Sequence, residues 1–260
     1  MSDVVYTPCG NDGVAHVLID RAGSGNSLTP EVARAIGDAV TSAGVDARCV
    51  VLESSGRVFC SGADVSFLDE LLTASKEEIA SSIYANFQAM IRSIVECPVP
   101  VIARLQGAAA GAGCDLVLAC DFVVASEDAW LEESWIKIGA TSALAGAFHL
   151  TQRLGSQRAL DLLISSRRLG AREALGLGVI HRAVAIDGLD DAVTELTNGI
   201  VARDSMAVRA MKSLVRGAEH SGFEEALALG LELQASLLAR AEFASYVGEL
   251  RQRLEAKSNA

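Results

Sequence analysis

"LQGAAAGAGCDLVLACD", residues 105–121, gives up side chains over seven positions, Gly107 to Gly113, and then sets one carboxylate, Asp115, inside an apolar run. A flexible linker would be built from serine and other polar residues; here both flanks are hydrophobic. Something must approach this backbone closely. The stretch follows a strand-like run, "VPVIARL" (99–105), and leads into "LVLAC", which opens a short buried helix beginning near Cys114. Backbone N–H groups at a helix start have no intrahelical partner and carry the positive end of the dipole, so small residues here would let an oxygen reach them. Close packing of a turn against a sheet accounts for the same residues, and at this point both readings stand.

A second stretch, "RVFCSGADVSFL" (57–68), repeats the arrangement. It follows the strand-like "RCVVLES" (48–54) and places Ser61, Gly62 and Ala63 before a helix. Two strand-to-helix turns, each offering an N–H, can form an oxyanion hole for a carbonyl that gains negative charge. Asp64 reads as the cap of the helix that follows.

Working outward, "GVAHVLID" (13–20) alternates as a strand, and "TPEVARAIGDAV" reads as a helix with Thr29 as cap, Pro30 in the first turn and Val32, Ile36 and Val40 as its stripe. Ser75 and Glu78 make a capping box for a helix bearing Ile79, Ile83, Phe87, Ile91 and Val95. "FVVAS" (122–126) is again a strand. Strand and helix alternate to about residue 185, which predicts an α/β core with a largely parallel sheet. From Leu189 onward only helical stripes remain. The expected division is therefore an α/β core over 1–190 and an all-helical region over 191–260, whose apolar stripes call for a partner surface such as a neighbouring subunit.

Half of the 260 residues are hydrophobic, enough for a sizeable core in one large or two small units. A net charge of −11 argues against nucleic acid or an anionic membrane as main partner, since both need clustered cations. The N-terminal "MSDVVYTPCGNDG" lacks a basic segment followed by an apolar one, so a cytoplasmic protein is expected. Six cysteines without CxxC spacing read as buried reduced thiols, and four scattered histidines give no metal-ligand pattern.

The pair "FCSGADV" and "GAAAGAGCDLVLACD" resembles the crotonase (enoyl-CoA hydratase/isomerase) superfamily, whose usual patterns are F-C-A-G-A-D-L and G-x-A-x-G-G-G-C-E-L. "DRAGSGNSL", "CPVPVIARLQG", "ACDFVVASEDAWL" and "RLGAREALGLGVIHRAV" are similar to further family segments in one register over about residues 4–260. The resemblance implies a spiral of ββα units with a helical C-terminal trimerisation region, assembled as a homotrimer or dimer of trimers. It implies a role in fatty acid metabolism and a CoA or carrier-protein thioester as substrate, with coenzyme A entering as part of that substrate and no separate cofactor. The enolate donors would be the amides of Ala63 and Ala112, the latter replacing the usual glycine. Ser61 and Gly62 would line the substrate, and Arg21, Ala22 and Lys212 would lie where CoA phosphates or adenine are held.

The acids depart from the pattern. Asp115 stands at the first catalytic glutamate, one methylene shorter. In "LEESWIKIG" the second falls on Trp135, and an indole neither takes a proton from water nor gives one to carbon at neutral pH. Trp135 is instead expected to shape a pocket for a cyclic or aromatic acyl chain. Ala143 stands where dienoyl isomerases and aryl-CoA dehalogenases carry an aspartate. Glu132 and Glu133 remain as substitutes; adjacent strand residues face opposite sides, and alternation places Glu133 on the face of Trp135. His149 reads as structural. A single principal acid/base suits double-bond migration. The alternatives are hydration with Glu133 or Glu132 assisting Asp115, hydrolysis or decarboxylation through the enolate, and thioester binding without turnover.

Overall fold

A computed structural model describes residues 3–219 and 221–258, and the chain divides into two compact units, 1–203 and 204–260. The first is built on a six-stranded sheet. Strand β1 (Val4–Thr7) pairs antiparallel with β2 (Val14–Ile19); β3 (Cys49–Ser54), β4 (Val101–Leu105), β6 (Phe122–Ser126) and β9 (Arg182–Val184) then add in parallel, in the order β1-β2-β3-β4-β6-β9. A small second sheet joins β5 (Ala108–Ala110), β7 (Trp130–Glu132) and β8 (Leu169–Gly170).

The strands alternate as a sheet covered on both faces requires. Ala15, Val17, Ile19, Val50, Leu52, Val101 and Ala103 enter the large core together with Val32, Ile36 and Val40 of helix α1 (Pro30–Asp46). Val14, Cys49, Val51, Ile102 and Val124 turn the other way and meet Leu189, Ala192 and Val193 of α9 (Leu189–Val201). Because α9 covers a face of the sheet, it belongs to the α/β unit, and the division falls after Arg203 rather than at the expected 190. The hydrophobic stripe of α9 signals a helix equally well in either unit; only its packing assigns it.

Local sequence explains most helix starts. Thr29 Oγ1 accepts from Val32 N at 3.3 Å, and Ser75 with Glu78 forms a reciprocal capping box. From that box one helical run passes through α3 (Lys76–Ser82), a π turn (Ile83–Gln88) and α4 (Ala89–Val95). Short helices α2 (Val65–Leu71), α5 (Ala112–Ala119), α6 (Gly146–Leu154), α7 (Ser156–Ser165) and α8 (Ala171–Gly176) complete the first unit.

The second unit holds α10 (Ser205–Ala218), α11 (Phe223–Leu238) and α12 (Ala241–Ser258). Asp204 caps α10 by accepting from Ala207 N and also receives Arg240 and Tyr246. Met211, Val215, Leu227 and Leu231 are left exposed. No described helix is long and apolar enough to cross a membrane.

Candidate active site

The small residues at 107–113 are explained by the second stretch of small residues. Cys60 N donates to Ala108 O at 3.1 Å and Ala110 N to Cys60 O at 3.0 Å, so the two turns run side by side as a parallel bridge. A Cβ on Gly107 would overlap the Arg57 carbonyl, and one on Gly113 would overlap Cys60. Part of the expected loop is thus a strand, β5, and helix α5 starts at Ala112, two residues earlier than the sequence suggests. Gly62 (φ +108°) and Gly111 (φ +51°) turn the backbone just ahead of Ala63 and Ala112, through a region open to glycine.

The expected pair of donors is brought together. A Cβ built on Gly62 would lie 3.6 Å from Ala112 N, so the second amide sits against the residue that precedes the first. Among the described residues neither the Ala63 nor the Ala112 amide donates to another main-chain or side-chain group. Ala63 lines an apolar cavity of about 210 Å³, walled by Phe67, Ile83, Phe87, Trp135 and Leu144.

Asp115 lies one turn into α5, with no accessible surface. Trp135 Nε1 donates to its Oδ2 at 2.9 Å and Ser142 Oγ to its Oδ1 at 2.6 Å. Ser142 itself accepts from Leu144 N and Gly146 N at 3.2 and 3.3 Å. Burial pushes the Asp115 carboxyl up to about 6, against the pull of these donors. Trp135, at the expected position of the second acid, therefore both lines the cavity and holds the first acid.

The two neighbouring glutamates separate, but β7 ends at Glu132 and Trp135 opens a 3₁₀ turn, so the strand alternation expected to carry Glu133 onto the face of Trp135 does not extend that far. Glu132 turns to Lys137 at 2.7 Å and Arg168 at 3.6 Å, and is an ion-paired residue. Glu133 turns toward Asp115: a Cβ on Gly146 would overlap both Asp115 Oδ1 and Glu133 Oε1. Burial, and then the charge of Asp115, pushes Glu133 up to about 9.

The remaining expected residues fall outside this cluster. The Arg21 guanidinium is spent inside the fold, donating to Ser27 O at 2.8 Å and pairing with Asp64 and Asp3 at 3.3 and 3.4 Å. Ala22 and Ser61 are exposed, and Ser61 N donates to Gly25 O at 3.0 Å. Asp64 caps α2, accepting from Ser66 N at 3.0 Å and from Ser27 Oγ at 2.6 Å; these hydrogen bonds draw it down to about 2. Lys212 lies on α10, in the second unit.

Ser142 and Gly146 were not found from the sequence. Their signal is weak: "ATSALAGAF" (140–148) shows a hydroxyl and a glycine, with nothing local to tie either to an aspartate some thirty residues earlier.

The model of the enoyl-CoA hydratase/isomerase family matches residues 10–254. The chain belongs to this family. It is 30% identical over 233 residues to a probable enoyl-CoA hydratase of Rhodobacter capsulatus, covering 90% of this chain and 89% of that protein. It is 28% identical to the peroxisomal Δ(3,5)-Δ(2,4)-dienoyl-CoA isomerase of Arabidopsis thaliana, over 84% and 82% of the two chains. The crystal structure of an enoyl-CoA hydratase of Mycobacterium smegmatis superposes with a TM-score of 0.90 at 29% identity, over 97% of each chain. The crotonase fold expected from the two motif stretches is the fold observed.

Proposed function

We propose that this family member acts on an acyl-CoA thioester and moves a carbon–carbon double bond through an enolate held by the Ala63 and Ala112 amides. The observation that carries this reading is the convergence of two main-chain N–H groups, neither spent inside the protein, beside an apolar cavity that begins at Ala63. Donors aimed at a developing oxyanion contribute about 2.7–4 kcal/mol each to lowering a barrier.

Asp115 takes the proton from C2 of a 3-enoyl thioester, and the electron pair passes to the thioester oxygen. Return of the proton to C4 leaves the conjugated 2-enoyl product. One carboxylate suffices for both transfers. Asp115 has no accessible surface and stands behind Trp135, which lines the cavity and donates to it, so the acyl group reaches Asp115 only when that indole gives way. Trp135 in that wall favours a cyclic or aromatic acyl group. Hydration is the weaker reading, because no carboxylate stands at Trp135 and Glu132 is committed to Lys137 and Arg168. Ala22, Ser61 and Lys212 remain candidates for the CoA end; Arg21 is held by its internal partners. The exposed apolar side chains of α10 and α11 support a homotrimer or dimer of trimers.

The test is a pair of assays by ultraviolet absorbance. A 3-enoyl-CoA should gain the absorbance of the conjugated thioester, with solvent deuterium entering C2 or C4, and Asp115→Asn should abolish both. Rapid hydration of crotonyl-CoA without isomerisation of the 3-enoyl substrate would overturn the reading.

A further inference from the structure

The reaction leaves the buried carboxyl of Glu133 without a task. Glu133 follows β7, is 4% exposed, and faces Asp115 across the Cα of Gly146. Among the described residues no N–H or O–H donor reaches either of its carboxyl oxygens. The Cys114 thiol, a weak donor, lies alongside. Asp115, on the other side of Gly146, receives both an indole N–H and a hydroxyl.

Two carboxyls this close and this deeply buried cannot both be ionised without a cation to balance them. None is at hand. Arg167 lines the same small void as Glu133, but its guanidinium is paired with Glu173 at 2.7 Å and Asp161 at 3.8 Å. Lys137 and Arg168 are held by Glu132. The other titratable groups lining that void are Cys114 on α5 and Glu132 on β7.

We propose that Asp115 and Glu133 hold one proton between them in the resting enzyme, that it sits on Glu133, and that Glu133 is a positioning residue keeping Asp115 the ionised member. This rests on the reading of Asp115 as the base. The donors fix the assignment: two stabilise the charge on Asp115 and none of comparable strength stabilises one on Glu133. When Asp115 takes a proton from the substrate, the pair carries two protons and no charge. When Asp115 gives it back, the pair returns to one proton and one charge, and no other bond has changed.

Infrared spectra of the resting protein read the proton directly. At neutral pH the wild type should show the C=O stretch of a buried protonated carboxyl, lost in Glu133→Gln and kept in Asp115→Asn. The pH profile of kcat/KM gives a second readout that a merely structural role would not move. Glu133→Gln should leave the acid limb, set by Asp115, in place and remove the inflection on the alkaline side. An acid limb moved down by about one pH unit or more would show that a charge had been removed and overturn the proposal. So would the absence of the band from the wild-type spectrum, which needs no variant to fold. Turnover surviving in Asp115→Asn while the band assignment holds would instead overturn the reading of Asp115 as base.

Discussion

The two strand-to-helix turns of the site are built alike and treat their carboxylates in opposite ways. Each presents an alanine amide after a glycine in a left-handed conformation, and each carries an aspartate close behind: Ala63 with Asp64, Ala112 with Asp115. Asp64 sits at the cap position, where Ser27, Ser66 and Arg21 all donate to it, and its charge is favoured. Asp115 lies one turn inside its helix, fully buried, with two donors and a second carboxyl as neighbour. The residue type is the same. The surrounding donors and water decide that one aspartate is a structural anion and the other a group whose proton is easily gained.

Breaking the chemical half of this comparison should have the largest effect. Asp115→Asn is expected to lower kcat for 3-enoyl-CoA isomerisation by about 10²–10⁴-fold, as loss of a general base does. Asp64→Ala should leave kcat within a few-fold of wild type and lower stability by about 1 kcal/mol, the usual scale for loss of a helix cap. Equal losses of kcat in the two variants would dissolve the distinction.

Next in size is Gly146→Ala. Its Cβ would overlap both carboxyls of the pair, so a cost of about 1–3 kcal/mol from overpacking is expected in chemical denaturation. The same substitution at Gly176, where nothing lies within 4 Å, should cost no stability by this mechanism.

The pH dependence of stability sharpens the contrast most gently. Asp64 is held down to about 2 from 3.8, so its contribution is present above 3.8 and is lost as the pH falls through 2. The Asp115–Glu133 pair is raised, so its contribution is fully present below the ordinary carboxylate range and falls away as the pH climbs toward about 9. Thermal melts across pH should therefore lose the acid-side slope in Asp64→Asn and flatten on the alkaline side in Glu133→Gln.

Much of the fold was legible in the sequence because its signals are local. The alternating strand at 13–20, the apolar strand runs at 48–54 and 122–126, the Thr29 cap and the Ser75–Glu78 box are each contained within a few residues. Strands β5, β8 and β9 were not legible. They have two or three residues each, and β5 is all alanine, so no alternation can build up and their pairing comes from partners far along the chain.

The sequence alone determined the family, the two small-residue turns, the placement of Asp115 and the loss of a carboxylate at Trp135. Local backbone demands and side-chain chemistry are written in consecutive residues. Only the tertiary structure decided that the Trp135 indole and the Ser142 hydroxyl close on Asp115, that Glu133 faces it while Glu132 is ion-paired, and that Arg21 is spent on Asp64. Those outcomes depend on burial and on which donors arrive from distant segments, and neither exists until the chain is folded.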